Sequence, residues 1–169
     1  MAKGKRHNYN AFEVLEIAEE IEKKAVEFYN TAINFFEDKE TKELFGNLSK
    51  WEQTHANFFA NMRKDLSDES SNLRTFNLDE VDKPTAEEMA ALSTFGRRSH
   101  PAVDFRKNFT KKQILEKAID KEKSTLVFYI WIKKYVPDSA GAFKIDELIN
   151  EEMRHIFLIN QTMKTMGLI

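Results

Sequence analysis

Leu48 to Phe59 reads Leu48-Ser49-Lys50-Trp51-Glu52-Gln53-Thr54-His55-Ala56-Asn57-Phe58-Phe59. In a helical pattern Glu52 and His55, three residues apart, project from one face. Leu48 lies one turn before Glu52, and Trp51, Phe58 and Phe59 lie one turn either side of His55, so that face is the buried one. A carboxylate and an imidazole turned together into a core are costly unless they pair or bind a metal.

Working outward, this stretch belongs to a helix predicted over residues 39–65, with Asp38 as its cap and Leu44, Phe45, Leu48, Trp51, Phe58/Phe59 and Met62 as its apolar stripe. The helix before it is predicted over 10–37. Asn10 and Glu13 form its capping-box pair, and Val14, Ala18, Ile21, Ala25, Phe28, Ala32 and Phe35/Phe36 form its stripe. So few residues join the two that they must form an antiparallel hairpin. A third helix is predicted over 110–136, opening on the capping box Thr110-Lys111-Lys112-Gln113. A fourth spans 138–166, with Phe143, Ile145, Leu148, Ile149, Ile156, Ile159 and Met163 facing inward and Gly167 at its C-terminal cap.

Between the hairpins, residues 66–109 form a crossover, and Pro84 to Phe95 reads as a short helix within it. A connection of that length has a topological reason if helices two and three run parallel, because the chain must then return the full length of the bundle. The expected fold is all-α, a four-helix bundle of two antiparallel hairpins in a single domain over 1–169.

Composition narrows the functional classes. With no cysteine, disulfides, thiolate metal sites and thiol nucleophiles are excluded. A net charge of −2 gives no footprint for nucleic acid or an anionic membrane, and Gly96-Arg97-Arg98 is too short a basic run to make one. No apolar run approaches the roughly 20 residues of a membrane span and the N-terminus has no signal-peptide core, so a soluble, cytoplasmic protein is expected.

The two hairpins repeat at an offset of one hundred residues without a gap. Leu15, Ala18, Glu22, Phe28-Tyr29, Glu52 and His55 match Leu115, Ala118, Glu122, Phe128-Tyr129, Glu152 and His155. All six acidic and histidine members lie on or beside core-facing stripes. Four carboxylates sharing a dry interior repel one another, and most would be protonated without cations. Two metal ions resolve that conflict, and four carboxylates with two imidazoles form the ligand set of a di-iron or di-manganese site. Glu20 and Glu151 would replace a neighbouring ligand if a helix were rotated. Glu16, Glu19 and Asp120 read as solvated acids, and His7 and His100, which have no repeat partner, read as surface residues.

These residues resemble the rubrerythrin and ferritin-like family of di-iron carboxylate proteins. There one helix of each hairpin gives a glutamate, here Glu22 and Glu122, and the other gives E-x-x-H, here Glu52 to His55 and Glu152 to His155. The resemblance implies that Glu52 and Glu152 bridge two iron ions (manganese or a mixed pair being the alternative) while Glu22 and Glu122 are terminal ligands. Tyr29 and Tyr129 resemble family tyrosines that hydrogen-bond the ligand carboxylates, with plain core aromatics as the other reading. The chain departs from full-length rubrerythrins in having no four-cysteine rubredoxin-like domain. Thr125 stands where many have an additional glutamate, which leaves a ligand set closer to the symmetric site of bacterioferritins.

The function implied is a di-iron oxidoreductase that oxidises a paired ferrous site with peroxide or dioxygen. It would draw on an external electron-donor protein and assemble as a homodimer. The competing readings are a ferroxidase or iron-handling protein, a non-catalytic metal-binding sensor or interaction bundle, and a vestigial bundle without metal.

Overall fold

The computed structural model describes residues 11–69, 109–134, 136, 138 and 141–169. Ala11–Ala32 forms α1, 22 residues without a glycine or proline to break it. The helix tightens into a 3-10 turn over Ile33–Phe35 and stops at Phe36, whose backbone is extended (φ −120°, ψ 141°). It ends short of the expected 37, because the extended step turns the Phe36 ring into the core against Phe45, with centroids 5.3 Å apart. Phe35, expected on the stripe with it, is left 42% exposed. Asn10, the expected cap of α1, lies outside the described residues.

Asp38 opens α2, Lys39–Glu69, by accepting the Thr41 backbone N–H at 2.9 Å. The Lys111 ammonium donates to the other carboxylate oxygen, and these two bonds hold Asp38 well below the usual carboxylate range. One side chain thus caps α2 and ties its start to the start of α3, Lys111–Ile132. Thr110 makes both halves of the expected capping box: its hydroxyl accepts from the Gln113 amide at 3.2 Å, and the Gln113 side chain accepts from the Thr110 amide at 2.9 Å.

The last helix, α4, spans Ala142–Thr165 and begins later than the expected 138. Gly141 precedes it at φ 89°, where a side chain would be strained although there is room for a Cβ. At the far end Gly167 (φ 65°) donates to Lys164 O and Leu168 donates to Met163 O, both at 2.9 Å. That pair of bonds is a Schellman cap. Phe143, expected to face inward, is 61% exposed; in this first turn Ala142 and Ile145 take the core side.

Cross-links between helices fix the topology. Asn30 bonds Ser49 and Glu19 pairs with Arg63, so α1 and α2 are antiparallel. Lys133 pairs with Asp146 and Glu122 lies near His155, so α3 and α4 are too. Tyr29 reaches Glu122 and Asp38 reaches Lys111, which sets α3 antiparallel to α1 and therefore parallel to α2. The link between the hairpins, residues 70–108 with the expected Pro84–Phe95 helix, His100 and the Gly96-Arg97-Arg98 run, is not among the described residues, nor is His7.

Burial repeats as the sequence does. Residues 14–33 and 114–133 show the same order of buried, half-buried and exposed positions. The two hairpins therefore present equivalent faces to one shared core, formed by Leu15, Phe28, Tyr29 and Phe45 with Leu115, Phe128, Tyr129 and Ile145 among others. The architecture is an all-α bundle, and no helix among the described residues is long and apolar enough to cross a membrane.

Candidate metal centre

Each helix contributes to a polar cluster at the middle of this core: Glu22 from α1, Glu52 and His55 from α2, Glu122 from α3, Glu152 and His155 from α4. None is more than 2% exposed. The i, i+3 spacing of each E-x-x-H puts its carboxylate and imidazole on one face, and the antiparallel crossing of α2 and α4 brings those faces together.

The six residues fall into two overlapping groups, Glu22, Glu52, His55 and Glu152, and Glu52, Glu122, Glu152 and His155. In each group one ligand atom per residue lies within 4.8 Å of the others. Glu52 and Glu152 belong to both. His55 Nδ1 lies 3.1 Å from Glu52 and 3.0 Å from Glu152. His155 Nδ1 lies 3.0 Å from the other Glu52 oxygen, 3.5 Å from Glu152 and 3.8 Å from Glu122. The two imidazoles stack with centroids 5.6 Å apart.

These contacts are close, yet most of the atoms do not bond one another. Both oxygens of Glu22 and of Glu152, one oxygen each of Glu52 and Glu122, and His155 Nδ1 are buried without a hydrogen-bond partner. Orphaned buried polar atoms are rare and each costs about 1–3 kcal/mol. Orphans that are all donor atoms for a hard or borderline metal, converging from four helices, fit a pair of divalent cations.

The electrostatics without cations show the same conflict. Burial, then the Glu52 charge, pushes the Glu22 carboxyl well above its usual range; burial and the charges of Glu52 and Glu152 do the same to Glu122. Burial also opposes the ionised form of Glu52, but the adjoining His155 and His55 rings outweigh it and hold that carboxyl low. Glu152, opposed by burial and by Glu52, is likewise lowered by Glu122, His155 and His55. Burial works against the charged imidazoles, yet the surrounding carboxylates push His55 up to about 11 and raise His155 further. Without metal these shifts favour ionised Glu52 and Glu152, protonated Glu22 and Glu122 and charged imidazoles, a set with no net charge. Two divalent cations with four carboxylates and two neutral imidazoles give the same balance with four fewer protons.

Around the cluster the repeat is imperfect. The Tyr29 hydroxyl donates to Glu122, as the resemblance implies, whereas its counterpart Tyr129 is buried with no hydrogen-bond partner. Glu151 stands outside both ligand groups but contacts His55 Nε2 at 2.7 Å. The linear pattern marks it only as a substitute ligand and not as a partner of His55, which sits on another helix, and the matching position 51 is tryptophan. The Trp51 indole stacks on the His155 ring at 5.2 Å. Glu20 is exposed and pairs with Lys23 at 2.9 Å, so α1 is not rotated to offer it as a ligand.

Comparison with known proteins agrees with this geometry. The Rubrerythrin family model matches residues 4–63, which hold α1 and the first E-x-x-H. A solved structure from Thermotoga maritima, described as that of a ferritin-like diiron-carboxylate protein, matches with a TM-score of 0.66 at 24% identity. The match covers 95% of this chain and 97% of that one. At that identity the likeness shows the fold, which is ferritin-like. No curated protein matches the chain. The second half of the cluster rests on the hundred-residue repeat and on the geometry itself.

Proposed function

We propose that this ferritin-like chain, with its rubrerythrin-type first hairpin, is a non-haem di-iron oxidoreductase. The observation that carries the reading is the pair of overlapping ligand groups sharing Glu52 and Glu152. In it Glu52 and Glu152 would serve both metal positions, Glu22 and His55 would complete one, and Glu122 and His155 the other. Two bound ferrous ions would supply one electron each, reducing one peroxide with two protons to two waters. The oxygen-rich donor set suits iron or manganese, and the absence of cysteine disfavours a structural zinc site.

The chain's own residues hold, orient and enclose the pair. Tyr29 fixes the orientation of Glu122 through its hydroxyl. Phe59 packs on Tyr129 at 5.3 Å and Phe28 on Tyr29 at 5.2 Å, closing apolar walls behind the carboxylates that exclude bulk water. In this reading an external donor protein returns the pair to the ferrous state.

A ferroxidase or iron-handling role is the second reading, favoured by Thr125. This residue lies one turn past Glu122 with its hydroxyl buried and unpartnered, and it leaves the ligand set symmetric. Anaerobic ferrous loading followed by rapid mixing with peroxide or dioxygen separates the two. The oxidoreductase reading expects two ferrous ions oxidised per peroxide, faster than by dioxygen, with iron retained through repeated cycles of reduction. Preference for dioxygen with ferric iron leaving the site would favour the ferroxidase, and binding without oxidation by either would leave only a non-catalytic metal-binding bundle.

A further inference from the structure

The hundred-residue repeat makes the two halves of the cluster nearly equivalent, so the places where it fails carry information. The sharpest failure is at 51 and 151, where tryptophan stands opposite glutamate. Glu151 Oε2 lies 2.7 Å from His55 Nε2. With a metal bound and the ring neutral, a proton on Nε2 donated to that carboxylate would fix the tautomer and leave the Nδ1 lone pair for the metal. On the other side, the His155 ring lies under the Trp51 indole, with planes 13° apart, and the Arg154 guanidinium lies 5.9 Å from the indole centroid.

Tyr29 engages one Glu122 oxygen while both Glu22 oxygens stay unbonded, which orients a carboxylate of the His155 half and acts against the effect of Glu151 without involving an imidazole. Access to solvent also separates the halves. A cavity of about 90 Å³, lined by Trp51, Glu151, Arg154 and His155, reaches one imidazole of the pair and not the other.

We infer that the two metal positions are unequal: Glu151 makes the His55 position the tighter, and the His155 position is the exchangeable one that communicates with solvent. This rests on the metal-binding reading above and assigns Glu151 as a positioning residue that acts through His55 rather than as a ligand. An outer carboxylate on a ligating imidazole is worth about 10–100-fold in metal affinity. Glu151 is about half exposed, so its replacement leaves the core packing alone.

The test uses cobalt(II) and metal-free protein, titrated anaerobically against a competing chromophoric chelator. The chain has 2 tryptophans, so a Trp131→Phe background leaves Trp51 as the only indole reporter. Two binding steps are expected, with Trp51 emission changing in the second, weaker one. Glu151→Gln should weaken the first step about 10–100-fold and leave the second within about twofold. Equal affinity at both positions, an emission change confined to the first step, or equal weakening of both steps by Glu151→Gln would overturn the inference while the paired centre stood. No cobalt bound at all would overturn the metal-centre reading itself.

Discussion

Glu52→Gln is expected to abolish paired metal binding, leaving at most one ion per chain and weakening affinity at both positions by at least about 100-fold. The reason is geometric. One Glu52 oxygen lies 3.0 Å from His155 Nδ1 and the other 3.1 Å from His55 Nδ1, so a single side chain serves both halves. Glutamine keeps the volume of the buried side chain but removes the charge and turns one oxygen into an N–H donor. Glu152→Gln should behave alike, since Glu152 also belongs to both groups. Glu22→Gln and Glu122→Gln should each weaken only one position. Metal counting by elemental analysis after anaerobic loading and desalting reads all four variants. Two ions retained at wild-type affinity in Glu52→Gln would show that the residue does not bridge.

The second large effect is on stability, and its sign depends on metal. In the metal-free protein Glu22 and Glu122 have raised pKa values, so the folded state holds protons that the unfolded state releases above about 4.5. His55, up to about 11 from an ordinary 6.5, acts in the same direction, as does His155. Their stabilisation is complete below the unfolded values and is lost as pH rises, through the carboxyls above about 4.5 and through the imidazoles above about 6.5. The lowered carboxyls Glu52 and Glu152 contribute the opposite slope, lost as pH falls below about 4.5. Metal-free protein should therefore be most stable near pH 5 and weaken toward pH 8.

Metal reverses the trend, because binding needs ionised Glu22 and Glu122 and neutral imidazoles, and it releases about two protons per divalent ion. At pH 8 and a free metal concentration 100 times Kd, one site adds about 2.7 kcal/mol. That corresponds to a rise in Tm of about 5–11 °C for a domain of this size. Thermal melts with and without cobalt at pH 5.5 and pH 8 check both slopes. A larger metal-induced shift at pH 5.5 than at pH 8 would contradict the proton linkage.

Much of this was legible in the sequence because it is periodic. The E-x-x-H spacing places Glu52 with His55 on one helix face, and the hundred-residue offset supplies Glu122, Glu152 and His155 without knowledge of any contact. The matching burial order of 14–33 and 114–133 is the structural form of that repeat. Less legible were the ends of elements, where tertiary packing overrides local preference. Phe36 leaves the helix to bury its ring, and Phe143 stays outside because Ala142 and Ile145 already occupy the core side. Least legible was Glu151, whose role depends on His55 ninety-six positions away and on the repeat being broken there. Tyr29 and Tyr129 look identical in sequence, and only the three-dimensional arrangement gives one a partner carboxylate and the other none.

The central claim is that six side chains from four helices hold two metal ions. Its most direct test is the crystal structure of protein loaded anaerobically with ferrous iron, with anomalous scattering recorded at the iron edge. Two iron peaks are expected in each chain, one within bonding distance of Glu22 and His55, the other of Glu122 and His155, and both of Glu52 and Glu152. A single peak, or iron only at surface carboxylates with the six buried side chains unliganded, would contradict it.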